Sequence, residues 1–349
     1  MRLEQIVPGR RPPREIIGAI LTRDLPVAGQ RLSKGRRLTA GDLDLITGAP
    51  DGAPVTVMVT EPGEIHEDDA AARLADAVSG GHRGVTLRGP TQSRIDLVAA
   101  VAGVVEVRLA ALERLNRLDP LEVFTVFDGQ VVVPGDLVAS VKIGPHLVPD
   151  IVLTTGEAVA RRGGPVVKVR AFRPIRIAVL VKEHVTGAAR ARFETSIRAR
   201  VNGLGARLSV IDYVPDDVAA VTEALAVAVA RGPGRADIVL AAGGASTDPS
   251  DPFFAAVDAL GGRIVRHGVP AHPGSMLWMA RVERTTVVGL PSCGAYSRAT
   301  AADLLLPRLV AGQPPSARTV ARLAHGGILT RSQRFRFPAY ARDLDEPEG

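Results

Sequence analysis

The chain reads Ala242-Gly243-Gly244-Ala245-Ser246-Thr247-Asp248-Pro249-Ser250-Asp251 at the first of three small-residue loops, followed by His272-Pro273-Gly274-Ser275 and by Gly289-Leu290-Pro291-Ser292-Cys293-Gly294. The first and third loops follow β-rich runs, and helical patterns begin after them at Pro252 and Ser297. Loops that connect the carboxyl ends of parallel strands to helices are where open α/β sheets bind anionic ligands. We therefore expect these loops to bind a phosphorylated small molecule.

Strand and helix patterns alternate regularly from Arg176 onwards. The predicted strands are Ile177–Lys182, Arg207–Tyr213, Asp237–Ala242, Arg263–His267, Met276–Arg281 and Thr285–Leu290, and the predicted helices are Ala188–Leu204, Pro215–Arg231, Pro252–Leu260 and Ser297–Val310. Such alternation predicts a mostly parallel sheet that is covered on both faces. The predicted fold class is α/β, with a C-terminal three-layer α/β/α domain preceded by a smaller α+β region.

A cluster of breaker residues, Arg161-Arg162-Gly163-Gly164-Pro165, precedes this change of pattern and marks the main domain boundary. We predict a β-rich region over residues 1–60, an α+β segment over 61–170, the α/β domain over 174–312 and a C-terminal extension over 313–349. The extension is polar, and we expect its end, Asp343–Gly349, to be disordered.

Two helices are predicted in the first half of the chain. Thr39 is a preferred N-cap residue and Gly48 a preferred stop, which predicts a short helix through Ile46. Glu67–Val78 places apolar and small residues at helical spacing after an acidic start, which predicts a second helix.

A hairpin is predicted further along. Leu121–Val126 and Gln130–Val133 flank Phe127-Asp128-Gly129, a pattern typical of two antiparallel strands joined by a tight turn. Pro134-Gly135-Asp136 then forms a turn into a further strand, Leu137–Ile143.

Composition restricts the compartment and the partners. The 349 residues carry 43 Lys and Arg against 37 Asp and Glu, a formal charge of +6 that favours anionic partners only weakly. The arginines are scattered and aromatic residues make up only 3%, which argues against nucleic-acid binding.

The single cysteine excludes a disulfide framework and a cysteine-rich zinc site within the chain. No signal peptide and no apolar run of about 18 residues is present, so we expect a cytoplasmic protein without a membrane span.

The first loop combines backbone access with polar side chains. Gly243 and Gly244 let backbone N–H groups approach an anion, and Ser246 and Thr247 can donate hydroxyl hydrogen bonds to a phosphate or a pterin. An ordinary tight turn between a strand and a helix is the alternative for the two glycines.

Two acids follow in the same loop. Asp248 and Asp251 can together hold Mg²⁺, because hard cations prefer carboxylate oxygens, and in that role they would be catalytic. Since both residues stand at the start of a helix, the alternative is that at least one of them serves as its N-cap.

The other two loops carry weaker signals. Pro273 and Gly274 force a turn after which Ser275 presents a hydroxyl and an N–H, and His272 can act near a phosphate, although a surface histidine without a role is commoner. Cys293 precedes a helix N-terminus, which stabilises a thiolate and makes it a third catalytic candidate; a small buried cysteine is the alternative.

In order and spacing, the motifs over residues 174–312 resemble the molybdopterin-binding domain shared by molybdopterin adenylyltransferases and molybdenumtransferases. The matching motifs are Gly243-Gly244-Ala245-Ser246, Gly261-Gly262, His267-Gly268-Val269, Pro273-Gly274 and Gly289-Leu290-Pro291. Three earlier stretches resemble the molybdopterin-binding module that is often joined to a cytidylyltransferase-like domain. They are Arg94-Ile-Asp-Leu, Ala102-Gly-Val and Val138-Ala-Ser-Val-Lys-Ile-Gly-Pro145.

The chain departs from the transferase pattern in all three loops. In the first, Asp248 and Pro249 stand where that family carries a glycine and an acid after the serine, which leaves Asp251 as the surviving acid. The lysines that flank the Pro-Gly turn in that family are His272 and Ser275 here, and the Gly-Asn after Leu-Pro is Ser292-Cys293. Two phosphate-binding charges are thus missing, a loss that affects catalysis more than cofactor binding.

The resemblance implies binding of molybdopterin or the molybdenum cofactor, in its biosynthesis by molybdenum insertion or in its delivery to a molybdoenzyme. The implied binding residues are Gly243, Gly244, Ser246, Thr247, His272, Pro273, Gly274, Ser275, Gly289, Pro291 and Ser292. A transferase would use Mg²⁺ on Asp248 and Asp251. A non-catalytic carrier or maturation factor, and a scaffold that has lost the ligand, are the alternatives. The implied partners are a pterin, a molybdoenzyme or another cofactor-biosynthesis protein, and a second copy of the chain in a homo-oligomer.

Overall fold

The chain forms two compact units, and each unit combines separate segments of the sequence. The computed structural model describes residues 1–182, 185–244, 246–290, 299–313 and 316–342. The first unit comprises Met1–Ala100, Glu106–Val126 and Gly135–Lys168, and the second comprises Val101–Val105, Phe127–Pro134 and Val169–Gly349. No helix in these described ranges is long and apolar enough to cross a membrane.

Residues 1–171 contain short strands and four α-helices. The strands are β1 (Arg2–Ile6), β2 (Ile20–Leu21), β3 (Leu25–Val27), β4 (Gln30–Leu32), β5 (Val55–Val59), β6 (Glu64–His66), β7 (Val85–Thr91), β8 (Arg94–Ala99), β9 (Gly103–Val107), β10 (Leu121–Thr125), β11 (Val131–Val132), β12 (Leu137–Ile143), β13 (Leu147–Pro149) and β14 (Val167–Ala171). The helices are α1 (Ala40–Thr47), α2 (Glu67–Ser79), α3 (Leu109–Leu115) and α4 (Asp150–Arg161), with a 3₁₀ turn at Arg14–Ile16.

The first unit is built on antiparallel sheets. The strand orders are β1-β5-β2, β3-β4, β13-β6 and β10-β12-β8-β7. Helix α2 packs on β8 and β12 and beside α4. An ion pair of 2.7 Å between Arg73 and Glu157 joins these two helices.

Both helices predicted in the first half are confirmed. Helix α1 begins after Thr39, whose side chain accepts from the N–H of Asp42, and it ends at Gly48. Helix α2 begins at Glu67 and ends at Ser79, one residue beyond the predicted Val78, and a left-handed Gly80 forms its C-cap.

The predicted hairpin is wrong. Strand β10 pairs with β12 over five residue pairs, and β11 pairs with β9. The turn itself is present, because the N–H of Gln130 donates to the carbonyl of Phe127 at 3.1 Å. The sequence identified the turn correctly, but the longer ladder with β12 determines the partner of β10.

The second unit contains the regular alternation of strands and helices. Its strands are β15 (Arg176–Val181), β16 (Arg207–Tyr213), β17 (Ile238–Ala242), β18 (Arg263–His267), β19 (Trp278–Val282) and β20 (Thr285–Gly289). Its helices are α5 (Gly187–Gly203), α6 (Val218–Val229), α7 (Pro252–Ala259), α8 (Ala301–Val310), α9 (Ala317–Ala321) and α10 (Ala339–Arg342), with 3₁₀ turns at Arg322–Ala324 and Arg331–Arg336.

These strands form one six-stranded sheet in the order β16-β15-β17-β20-β19-β18. The pairs β15–β16, β15–β17 and β17–β20 are parallel, whereas β19 runs antiparallel to both of its neighbours. Helices α5 and α8 pack on one face of the sheet, and α6 and α7 pack on the other. The predicted fold class, a three-layer α/β/α domain with a mostly parallel sheet, is confirmed.

Candidate functional site

The carboxyl ends of three parallel strands bring two of the three predicted loops together. Val181 of β15 pairs with Ala242 of β17, and Ala241 pairs with Gly289 of β20. The residues that follow these strands, including Lys182 and the Gly243-Gly244 loop, therefore start at the same edge of the sheet.

The second loop reaches this edge because β19 runs in the opposite direction. Trp278, the first residue of β19, lies opposite Gly289, the last residue of β20. The loop residue Gly274 is buried, with a φ of 101°, and a Cβ there would lie 2.8 Å from the backbone nitrogen of Ala301. The turn thus packs directly on the start of α8, as its hydrogen bond of 2.9 Å from Ala301 to Pro273 also shows.

Helices α5, α6, α7 and α8 begin at this edge, and they differ in how their N-terminal N–H groups are satisfied. Asp217 caps α6, where its side chain accepts from the N–H of Ala220. Asp251 caps α7, where its Oδ1 accepts from the N–H of Phe253 at 2.9 Å. Thr300 caps α8 and is joined in a capping box by Asp303. Thr186 precedes α5 but its side chain makes no capping hydrogen bond, and no acid stands in the first turn. Among these four helices, α5 is the one whose first turn lacks a capping side chain within the described residues, which leaves it able to accept an anion.

The diglycine turn has the geometry needed for close backbone approach. Gly243 has a φ of 80°, which favours glycine, and within the described residues neither Gly243 nor Gly244 donates a backbone hydrogen bond. A Cβ at Gly244 would lie 3.3 Å from the ring of Phe253 and 3.6 Å from Asp251 Oδ2. Two N–H groups are thus available at the site, and a larger side chain would be crowded.

Asp251 is buried and is also engaged by a cation that belongs to the chain. Its side chain is 2% exposed and its Oδ2 lies 3.1 Å from Lys182 Nζ, which also donates to Asp216 Oδ1 at 2.7 Å. Burial alone would lower the pKa of Lys182, but the hydrogen bonds to Asp216 and Asp251 outweigh it and raise that pKa above its ordinary value. The lysine is therefore an ammonium ion held between two carboxylates.

Asp248 is exposed and folded back on its own loop. Its Oδ1 accepts from the N–H of Ser250 at 2.9 Å and from the Ser250 hydroxyl at 2.6 Å, and these hydrogen bonds lower its pKa. Both predicted metal ligands are thus engaged by protein groups. Across the described ranges, no cluster of three or more His, Cys, Asp or Glu side chains could hold a metal ion.

The remaining predicted residues fall into three groups. Ser246 is half-buried and Thr247 exposed beside the diglycine turn, while His272 is exposed and Ser275 half-buried in the second loop. Gly289 packs against the indole of Trp278, with which any Cβ would overlap. Pro291, Ser292 and Cys293 lie outside the described residues. The site roles of all of these residues stay predictions.

Lys182 and the free first turn of α5 were not predicted as parts of the site. A lone lysine at the end of the apolar run Ile177–Val181 is a signal for the first, because a cation in that position needs acidic partners. The uncapped first turn of α5 has no such signal in the sequence. It is recognised only in the structure, where its N-cap residue Thr186 makes no capping hydrogen bond.

Comparison with protein families identifies the class of the domain. Residues 151–311 match the model of a family described as a probable molybdopterin binding domain. The match agrees with the resemblance in the loops, and it supports a role in molybdenum cofactor biosynthesis. No curated protein matches the chain.

Three solved structures are similar to the chain at low identity. A molybdopterin biosynthesis protein, MoeA, from Pyrococcus horikosii is 14% identical over 74% of this chain and 80% of its own, with a TM-score of 0.31. Molybdenum cofactor biosynthesis protein B is 13% identical over 45% and 99%, with a TM-score of 0.29. The enzyme MoaB from Thermus thermophilus is 18% identical over 40% and 98%, with a TM-score of 0.30. At these TM-scores none of the three carries weight for the function.

The ion-paired state of Lys182 predicts a pH-dependent stability. The pKa of Lys182 is raised above the ordinary 10.5. The stabilisation that its ion pairs add to the free energy of unfolding is therefore complete below pH 10.5 and is lost as the pH rises through the folded-state pKa. We expect Lys182→Met to lower the free energy of unfolding by about 2 to 4 kcal/mol at pH 8, since Asp251 loses its cation while Asp216 remains solvated. Urea unfolding at pH 8 and above pH 11 measures this difference, which should shrink at the higher pH. The exposed Lys34→Met is the matched control, and an equal loss at both pH values would contradict the assignment.

Proposed function

We propose that the second unit binds molybdopterin or the molybdenum cofactor as its cargo, at the carboxyl edge of its sheet, and hands it on during cofactor biosynthesis or delivery to a molybdoenzyme. The observation that carries this proposal is the convergence of the diglycine turn and the uncapped α5 at one edge, in a domain that matches the molybdopterin-binding family. The pterin phosphate would accept from the N–H groups of Gly243 and Gly244 and from the first turn of α5.

The state of the N-terminal N–H groups favours α5 over the other helices that begin at this edge. Capping side chains already accept from these groups at α6, α7 and α8: Asp217 from Ala220, Asp251 from Phe253 and Thr300 from Ala302. Near α5 a phosphate would meet the exposed Gly187 and Ala188, and Arg190 stands one residue beyond the half-buried Ala189. Helix N-termini attract anions through their free N–H groups and partial positive charge.

Gly244→Val tests the diglycine turn. The branched side chain would crowd Phe253 and block the approach of a ligand to the backbone, so we expect pterin binding to weaken at least about tenfold, or about 1.4 kcal/mol. The readout is pterin fluorescence after acid iodine oxidation of protein incubated with molybdopterin.

The matched control for this variant is Gly234→Val. Gly234 lies in a turn where a Cβ has open space, so this variant should bind pterin like the wild type. Unchanged binding in a folded Gly244→Val protein would end the assignment of the turn.

Ala188→Glu tests the first turn of α5 with opposite effects on stability and binding. A carboxylate there complements the helix dipole and should raise the free energy of unfolding by about 0.3–1 kcal/mol. The same charge competes with the pterin phosphate, so binding should weaken at least about tenfold.

Ala199→Glu makes the same charge change on an exposed position of the last turns of α5 and should leave binding unchanged. Equal binding by the two variants would show that the phosphate does not use this helix terminus.

A molybdenumtransferase-like activity is the second candidate, favoured by the buried carboxylate of Asp251 beside the diglycine turn. Mg²⁺ on Asp248 and Asp251 would assist metal insertion, but at Asp251 it would have to displace the ammonium of Lys182. Under this proposal Asp251→Asn abolishes Mg²⁺-dependent molybdate insertion and keeps most of the pterin affinity.

The assay for this candidate follows molybdate insertion into bound molybdopterin with and without Mg²⁺. Pterin binding without Mg²⁺-dependent turnover in the wild type would leave the carrier role. A loss of thermal stability alone in Asp251→Asn would show that this aspartate serves Lys182 and the cap. No bound pterin, and none taken up on incubation, would favour a scaffold that has lost the ligand.

A further inference from the structure

A polar cavity lies at the amino edge of the same sheet, opposite the edge of the proposed pterin site. It has a volume of about 410 Å³ and is bordered by Asp237 and Thr286, where β17 and β20 begin. Four arginines line it: Arg173, Arg235, Arg281 and Arg284. We call this cavity the arginine pocket. Its volume is within the range of small-molecule sites, which is about 300 to 1,000 Å³.

Within the described residues, Arg235 is the arginine of the pocket that has an acidic partner. Asp237 is the acidic residue in the lining, and one of its oxygens accepts from Arg235 at 3.3 Å while the other accepts from the backbone N–H of Arg176 at 3.0 Å. Arg173 and Arg284 make no side-chain hydrogen bond or ion pair with any described residue. Four guanidinium groups therefore share a single carboxylate.

Two of these guanidinium groups are held in place. Arg281 donates from Nη1 to the hydroxyl of Thr286 at 3.1 Å and from Nε to the carbonyl of Glu283 at 3.1 Å, which leaves Nη2 for a ligand. Arg235 is oriented by Asp237. Donors that are fixed before binding lose little side-chain entropy when the ligand arrives.

The nearby end of α8 does not supply the missing negative charge. Leu309 and Gly312 line the pocket, and helix C-termini attract cations through their free carbonyls. Here the last four carbonyls, those of residues 307–310, accept hydrogen bonds from Ala311, Gln313, Gly312 and Arg173 respectively. The helix terminus therefore offers these guanidinium groups no free carbonyl, and they stay open to an anion.

We propose that the arginine pocket is a second ligand site, which binds a small organic molecule carrying two phosphate groups. Guanidinium groups pair with phosphate through two parallel hydrogen bonds, and four of them match the terminal oxygens of a diphosphate. Ile175, Ile238 and Leu309 in the lining give the organic part an apolar contact. The site lies at the amino edge, so its ligand does not compete with a pterin at the carboxyl edge.

Isothermal titration of the full-length protein with inorganic pyrophosphate, at constant ionic strength, tests the proposal. We expect saturable binding by the wild type and a weakening of about tenfold for each of Arg173→Ala and Arg284→Ala, since hydrogen bonds to charged groups contribute about this much. Both arginines are exposed, so the variants should fold. The matched control Arg198→Ala removes an exposed arginine of α5 and should bind within about twofold of the wild type.

Several outcomes would overturn the proposal. The absence of saturable binding by the wild type, or an equal loss in Arg198→Ala, would reduce the pocket to general surface charge. Pyrophosphate binding that is lost in Ala188→Glu and kept in the arginine variants would belong to the carboxyl edge. Citrate is the comparison ligand, because guanidinium groups also pair with carboxylates, and binding of citrate as tight as that of pyrophosphate would reject the phosphate class. By contrast, we expect Gly244→Val to keep pyrophosphate binding, which would support the proposal and separate this site from the proposed pterin site.

Discussion

The buried ion pair between Arg200 and Asp303 is the contact on which the carboxyl edge of the sheet depends. The side chains are 2% and 0% exposed, and Arg200 Nε lies 2.9 Å from Asp303 Oδ1. Asp303 Oδ2 accepts from the N–H of Thr300 at 2.9 Å, so one carboxylate joins α5 to the start of α8. Removing one partner of such a pair costs about 3–5 kcal/mol, because the other charge stays buried without compensation. Thr300 and Ala301 in turn contact Gly274, so the same carboxylate fixes the second loop.

Lys182 fixes the first loop in the same way, through an ion pair with the buried Asp251. A buried carboxylate needs a cation or hydrogen-bond donors, and Asp251 has both in Lys182 and the N–H of Phe253. The ammonium already pairs with Oδ2 of Asp251, so a divalent ion on that oxygen would have to displace it. Because displacement would leave a buried lysine beside a metal, the proposed ligand would be held at lower electrostatic cost through backbone N–H groups than through a metal.

The sequence predicted local structure well where the signal was local. Strands β16 and β18 have the predicted bounds, and α1 has the predicted cap and stop, because periodicity and capping depend on neighbouring residues. Pairing was less predictable, as the wrong hairpin between Leu121–Val126 and Gln130–Val133 shows, since partner choice depends on residues distant in sequence. Helix α4 was missed altogether. The diglycine turn was identified from its glycines, but the tie between Lys182 and Asp251 spans 69 positions of the chain and has no local signature.

The two sites proposed at the edges of the sheet would attract anions by different physical means. At the carboxyl edge the attraction comes from backbone N–H groups, whose partial charges are fixed by the fold and do not change with the side chains around them. At the amino edge the helix termini present carbonyls, so attraction there requires full charges on side chains, and the arginines provide them. Backbone sites are most sensitive to bulk or a competing acid, such as valine at Gly244 or glutamate at Ala188. Side-chain sites respond instead to the loss of a single guanidinium and to ionic strength. A substitution at one edge should therefore change anion binding at that edge and leave binding at the other edge unchanged.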